Sequence, residues 1–315
     1  MRAMRVHTLG KPMSLDDVPT PTPAPGEVLV KVHACGVNFG DTLMVKGEYQ
    51  EKPKLPFSPG MEICGTVVGG EGFASGTRIA SYAGSGGFAE FTTIPANRCV
   101  VVPEAMSNAQ AAAFLVAYGT SHVALEHKAI LRPRETLLVL GAAGGVGLTA
   151  IELGKLIGAT VIACARGPKK LEIASAAGAD YLIDSDIGNL REQVKALGGA
   201  DVVYDPVGGD LFTEALRATK PLGRILPLGF ASGKIPQIPA NIILVKNITV
   251  IGFYWGGYAT LAPEVLTDSF DTLFRWYVAG RLSPHVSHEV PLEEANKALD
   301  LLRDRTATGK VVVTL

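Results

Sequence analysis

Thr136-Leu137-Leu138-Val139-Leu140-Gly141-Ala142-Ala143-Gly144-Gly145-Val146-Gly147 is the stretch from which the rest of the chain can be read. Its first five residues are an apolar run, too short for a helix and suited to a strand buried on both faces. Glycines then break the run, and the spacing from Val146 to Ile157 predicts a helix. A strand, a glycine-rich turn and an opening helix, in that order, are the context of a dinucleotide-binding turn. Read as G-x-G-x-x-G, the frame falls on Ala142, Gly144 and Gly147, so alanine replaces the first glycine. Gly144 lets the backbone approach a pyrophosphate, and Gly147 lets the helix pack close to its sheet. The helix N-terminus adds N–H groups and the positive end of its dipole. The alternative is a glycine-rich turn of some other α/β fold, and the flanking elements weigh against it.

Working outward, Thr160 to Ala165 reads as a second strand and Lys169 to Ala177 as a helix ended by Gly178. Tyr181 to Ile183, Val202 to Tyr204, Arg224 to Leu228 and Ile248 to Gly252 follow as strands, with helices between some of them. A βαβ series of this kind predicts a doubly wound parallel sheet. The end of its second strand selects the cofactor: a carboxylate there accepts a ribose 2′-OH, and a cation accommodates a 2′-phosphate. Cys164-Ala165-Arg166-Gly167-Pro168-Lys169-Lys170 contains no carboxylate, and the next is Glu172. Cations are disfavoured at a helix start, yet Arg166, Lys169 and Lys170 stand there. Arg166, supported by Lys170, therefore predicts NADPH rather than NADH.

The first third is β-rich, with strands expected at Val28 to His33, Ile63 to Val68 and Phe88 to Ile94, punctuated by glycines. Pro19 to Pro25 is a loop. Short strands with frequent turns suggest an antiparallel, barrel-like unit. The pattern turns alanine-rich and helical near Ser107, with helix expected over Asn108 to Phe114 and Thr120 to His127. Beyond the parallel sheet, Pro263 to Ala279 and Leu292 to Asp304 read as amphipathic helices, and Lys310 to Leu315 as a strand completing the first domain.

Composition narrows the function classes. The chain has 315 residues, 47% hydrophobic and 19% charged, with a net charge of −1. No basic stripe is present, so no nucleic-acid partner is expected. Cys35, Cys64, Cys99 and Cys164 form no CxxC pair and are read as reduced, mostly buried thiols. Neither a signal peptide nor a membrane-spanning run is visible, which predicts a cytoplasmic protein with no membrane partner.

Five motifs taken together carry a family likeness: Gly36-Val37-Asn38-Phe39-Gly40-Asp41, Pro59-Gly60-Met61-Glu62, Ala142 to Gly147, Asp205-Pro206-Val207-Gly208-Gly209 and Thr308-Gly309-Lys310. Across essentially its whole length the chain resembles the medium-chain dehydrogenase/reductase superfamily, and within it the zinc-free, zeta-crystallin-like quinone oxidoreductases. The resemblance implies an α/β fold in which a GroES-like β-barrel catalytic domain (1–113 and 257–315) is interrupted by a Rossmann doubly wound domain (114–256). It implies a homodimer and an active cleft between the domains. Asn38 and Met61 stand where the alcohol dehydrogenase branch has a zinc-ligating Cys and His, so no metal is expected.

By the same resemblance Asn38, Asp41 and Tyr49 are the catalytic candidates. Leu43 stands where some relatives have Tyr. Asn38 and Asp41 also read as ordinary turn residues. The cofactor candidates are Thr120, Ala142, Ala143, Gly144, Gly145, Val146, Arg166, Lys170, Ser185, Val207, Phe230, Phe253 and Lys310. Ser185 lies where some relatives place a Tyr on the 2′-phosphate. The loop from Gly252 to Gly256 reads equally as cleft lining or as interdomain packing. The expected reaction is hydride transfer from NADPH to a quinone, with an enone or enoyl C=C reductase as the same-fold alternative. A non-enzymatic crystallin-like or RNA-binding role is the alternative of another class.

Overall fold

Why the apolar run ending at Leu140 becomes a central strand is plain from its neighbours in the computed structural model, which describes residues 1–315. The strands in chain order are β1 (Arg2–Arg5), β2 (Ser14–Asp17), β3 (Glu27–Val37), β4 (Glu62–Gly70), β5 (Arg78–Tyr82), β6 (Phe91–Pro95), β7 (Cys99–Val101), β8 (Thr136–Leu140), β9 (Thr160–Ala165), β10 (Tyr181–Asp184), β11 (Ala200–Asp205), β12 (Thr219–Pro227), β13 (Thr249–Val250), β14 (Val286–Pro291) and β15 (Lys310–Thr314). The chain divides into two compact units, Met1–Val116 with Phe274–Leu315, and Ala117–Leu273.

In the second unit six parallel strands lie in the order β10-β9-β8-β11-β12-β13. Numbered within the sheet this is 3-2-1-4-5-6, the order of the Rossmann dinucleotide fold. Leu137 to Leu140 of β8 are fully buried, with β9 on one side and β11 on the other. Leu138, Leu140, Ile162, Val203, Phe212, Leu216 and Ile225 form the core against the helices. The helix Gly145–Ile157 stops at Gly158, whose φ of 92° ends it in a left-handed turn. The expected strand from Ile248 to Gly252 shrinks to the two residues of β13.

The first unit is built on β3, which pairs antiparallel with β4, β6 and β15. Its seven-stranded sheet runs β14-β15-β3-β4-β5-β7, with β6 branching from β3. Two register shifts bend the long β3–β4 pairing, as bulges do in barrels. The strand expected to begin at Phe88 begins at Phe91, because Phe88 bonds elsewhere: its N–H donates to Pro59 O and its carbonyl accepts from Met4 N–H. Ser107 opens the helix Asn108–Ala112 through a reciprocal capping box with Gln110. That helix lies so close to β3 that a Cβ at Gly36 would stand 2.1 Å from Ala112 O.

One helix boundary differs from expectation. The helix expected from Thr120 begins at Leu115 and widens at Val123–Lys128 into a π-helix, in which Ala129 N–H reaches back to Ala124 O. The return crossing to the first unit lies at 273/274, within the helix Pro263–Val278. The part of that helix in the second unit is held by aromatic packing. Gly119 leaves room for Trp255 and Phe270, whose rings meet edge-on at 6.2 Å, and His122 Nδ1 pairs with Ser269 Oγ at 2.9 Å. Phe270→Ala is therefore expected to cost about 3–5 kcal/mol, read as a lower urea midpoint; an unchanged midpoint would show that this packing does not stabilise the unit.

Candidate active site

The expected site residues fall into two sets, one in each unit. In the second unit the turn after β8 is shaped by close approach. A Cβ at Gly147 would stand 2.3 Å from Gly141 O, so only glycine allows the first helical turn to sit on the strand end. Gly141 takes the left-handed conformation at φ +61°, while Ala142 and Ala143 are buried without it. The turn glycine thus stands one residue ahead of the G-x-G-x-x-G frame, which is why alanine at 142 is tolerated. Gly144 is the N-cap and has no side chain to cap with, so the N–H groups of Gly145, Val146 and Gly147 are left for a ligand. An uncapped helix end after a parallel strand fits a dinucleotide pyrophosphate.

Val207 and Phe230 join this turn. A Cβ at Gly141 would touch Val207 Cγ2 at 3.0 Å, and Phe230 packs on Gly208. The loops after β11 and β12 are stitched by Ala231 N–H to Pro206 O and Ser232 N–H to Val207 O. Asp205 holds this arrangement: its Oδ1 accepts the N–H groups of Val207 at 2.7 Å and Gly208 at 2.9 Å. The carboxyl is buried, Oδ2 has no partner, and burial pushes its pKa up to about 6. Thr120 is half-buried on the helix Leu115–His122. Its neighbour Ser121 meets Thr149 at 2.7 Å, Tyr204 at 2.8 Å and Val146 O at 3.0 Å, a buried hydroxyl cluster that ties this helix to the dinucleotide turn.

At the ends of β9 and β10, Arg166 is exposed and its Nε lies 3.2 Å from Asp186 Oδ1. Ser185 donates its N–H to Ala165 O, and Lys170 is half-buried. Phe253 follows β13, with its ring against Tyr258 at 5.6 Å.

The first unit gathers Asn38, Asp41 and Tyr49 with Lys310, which had been expected on the cofactor. Lys310 Nζ donates to Asn38 Oδ1 at 2.7 Å and to Glu62 Oε1 at 2.6 Å, and both charged side chains are buried. Asn38 Nδ2 donates to the same Glu62 oxygen at 3.0 Å, and Glu62 Oε2 accepts the Val116 N–H at 2.9 Å. Lys310 is thus committed to an ion pair. Asp41 is fully buried; Oδ2 accepts the N–H of Asn38 at 2.8 Å and Oδ1 that of Gly60 at 3.0 Å. It fastens the start of the helix Phe39–Met44 to the loop before β4, the turn role that the sequence also allowed. Burial, partly offset by those two N–H groups, raises its pKa to about 7. Tyr49 and Met61 pack over Gly40, where a Cβ would meet Met61 Cε at 2.7 Å. Sequence reasoning missed Glu62 and Asp205 as organising residues; a carboxylate at the end of an otherwise apolar strand was the available signal.

Similarity to known proteins agrees with this architecture. Residues 24–104 match the alcohol dehydrogenase GroES-like domain, and residues 145–272 match the family described as zinc-binding dehydrogenase. The chain is 41% identical to a quinone oxidoreductase-like protein 2 homolog of Nematostella vectensis, over 99% of this chain and 88% of that protein. Among solved structures it is similar to the Thermus thermophilus quinone oxidoreductase, also solved with NADPH, at TM-score 0.90 and 34% identity, covering 100% of both chains. The Escherichia coli quinone oxidoreductase complexed with NADPH gives TM-score 0.93 at 28% identity, again over 100% of both chains. The chain belongs to the medium-chain dehydrogenase/reductase superfamily, in its quinone oxidoreductase-type branch.

The zinc of that family description does not fit the donors present. An amide at Asn38 and a thioether at Met61 replace Cys and His. Both Asp41 oxygens hold backbone N–H groups, and Glu62 holds an ammonium. Burial raises the Cys35 thiol well above its ordinary range, against thiolate formation. No three His, Cys, Asp or Glu side chains converge on a common point suited to a metal.

Removing one partner of a buried ion pair strands the other. Lys310→Met should therefore cost about 3–5 kcal/mol, and adding Glu62→Gln should recover most of that loss in urea unfolding; equal stabilities of the single and double variants would show that the pair does not couple. Asp205 gives a pH signature. With its folded pKa near 6 against about 3.9 unfolded, the folded chain binds more protons across that window, so its contribution to stability falls as pH rises through it. Asp205→Asn keeps one acceptor oxygen and removes the titration. The wild-type Tm should fall relative to the variant between about pH 4 and 6.5; a pH-independent difference would contradict the assignment.

Proposed function

We propose that this chain transfers hydride from NADPH to a quinone without zinc. The observation that carries the reading is the uncapped helix N-terminus at Gly144, held against the strand end by Gly147. The NADPH complexes of the Thermus thermophilus and Escherichia coli quinone oxidoreductases support it, as does Arg166 beyond β9. When bound, NADPH supplies the hydride from C4 of its nicotinamide ring.

The chain's own residues bind and orient. The N–H groups of Gly145, Val146 and Gly147 take the pyrophosphate, and Ala142 and Ala143 line the turn. Val207, Phe230, Phe253 and Thr120 hold apolar and hydroxyl surface for the rest of the dinucleotide. Arg166, with Lys170 and Ser185 beside it, takes the 2′-phosphate, since a guanidinium matches phosphate geometry in a fork. Lys310 is assigned to the Glu62 pair and not to the cofactor. Asn38 spends its amide on Lys310 and Glu62, and the Tyr49 phenol, which packs over Gly40, is the hydroxyl assigned to a developing hydroquinone oxygen. No general acid is needed, because solvent can protonate the reduced quinone. The working form is taken as a cytoplasmic homodimer, the family expectation.

The test measures NADPH oxidation by the purified chain with 1,4-benzoquinone beside a panel of enones. Faster reduction of the quinone is expected; faster reduction of the enones would make the chain a C=C reductase, and unchanged NADPH fluorescence on mixing would overturn cofactor binding altogether. Arg166→Asp should weaken NADPH by about 10–100-fold, from the roughly 1.5–3 kcal/mol of a charged hydrogen bond, and NADH far less. Equal weakening of both would remove Arg166 from phosphate recognition.

A further inference from the structure

Beyond β9 the sequence offers Arg166 and no carboxylate, and the adenosine end of the site reads as purely cationic. The structure changes that. The next crossover loop brings Asp186 to 3.2 Å from Arg166 Nε. The approach is built into the backbone. Ser185 N–H donates to Ala165 O at 3.0 Å, Asp184 Oδ1 accepts the N–H of Gly167 at 3.0 Å and of Asp186 at 2.9 Å, and Ile187 N–H donates to Asp184 O. These bonds lock the ends of β9 and β10 together and leave the Asp186 carboxylate facing the Arg166 guanidinium.

We infer that Asp186 is a specificity-determining residue, a carboxylate that tempers the preference of the adenosine-ribose subsite for a 2′-phosphate over a 2′-hydroxyl. The inference rests on the dinucleotide reading above. Asp186 acts in two ways. It occupies the Nε edge of the Arg166 guanidinium and places a negative charge beside it, so a 2′-phosphate meets a weaker positive field there. It also places beside the ribose an acceptor of the kind that takes a 2′-OH in NADH-binding sites. Charge balance points the same way: residues 166–172 carry Arg166, Lys169, Lys170 and Glu172, and residues 184–186 carry Asp184 and Asp186, three cations and three carboxylates in the two short segments. A subsite built for a dianionic phosphate alone would carry an excess of cations. The consequence is an enzyme that uses NADH measurably beside NADPH.

The experiment titrates NADPH and NADH separately, by ligand fluorescence, into wild type, Asp186→Asn and Asp186→Lys. Both side chains of the pair are more than half exposed, so the variants are expected to fold, and their Tm values check this. Asp186→Asn should raise the ratio Kd(NADH)/Kd(NADPH) roughly fivefold, the scale of an exposed charge pair. Asp186→Lys should raise it further, and both gains should shrink at about 1 M salt, where the screening length is near 3 Å. An unchanged ratio, or a fall because Asp186 orients Arg166 for the phosphate, overturns the inference and leaves the dinucleotide site standing. A wild-type chain that binds neither nucleotide overturns both.

Discussion

The contact between Gly147 and the carbonyl of Gly141 governs the second unit. The gap at that point has no room for a Cβ. The first N–H groups of any helix lack intrahelical partners, and here Gly144, the N-cap, supplies no side chain to cover them. Val207 packs against the same turn, where a Cβ at Gly141 would crowd it, and Asp205 fixes Val207 through its N–H. One steric constraint thus sets the binding end of β8 and decides what β11 places beside it.

The first unit depends on a different kind of constraint, a charge that has to be answered. Glu62 is buried, and its two oxygens hold Lys310, Asn38 and the Val116 N–H. These partners come from β15, the end of β3 and the chain just before the crossing, so a single carboxylate joins segments far apart in sequence. An ammonium here supplies positive charge but no open coordination position. It cannot take a substrate oxygen as a ligand in the way a Lewis acid does.

What could be read from the sequence follows from how local each signal is. The run Thr136 to Leu140, the glycine turn and the helix start at Asn108 each lie within a few residues, and the structure has them where expected. The β5, β7 and β14 strands lacked clear alternation and went unread. The Lys310 ion pair has no local signature, because its partner Asn38 lies 272 positions away; a cation after Thr308-Gly309 gives no hint of whether it meets a phosphate or a carboxylate. The Arg166–Asp186 pair is equally non-local, since the cation follows β9 and the carboxylate arrives from the loop after β10. Trp255 and Phe270 meeting over Gly119 is likewise a packing event with no local signature.

Three aspartates show how burial reverses the meaning of one motif. Asp41, Asp184 and Asp205 each accept two backbone N–H groups at a loop or helix start. Such bonds favour the charged form and lower a carboxyl pKa. Only the Asp184 carboxyl, partly open to water, is lowered by them; Asp41 is raised to about 7 and Asp205 to about 6, because desolvation outweighs the same two bonds. Asp184 therefore ties the β9 and β10 loops while it stays ionised, and it adds negative charge where those loops meet. Asp41 and Asp205 hold their turns at a desolvation cost that grows as they ionise. The same clamp is thus fully ionised near the surface and titrates near neutral pH where it is buried, and its depth in the protein is what distinguishes the two.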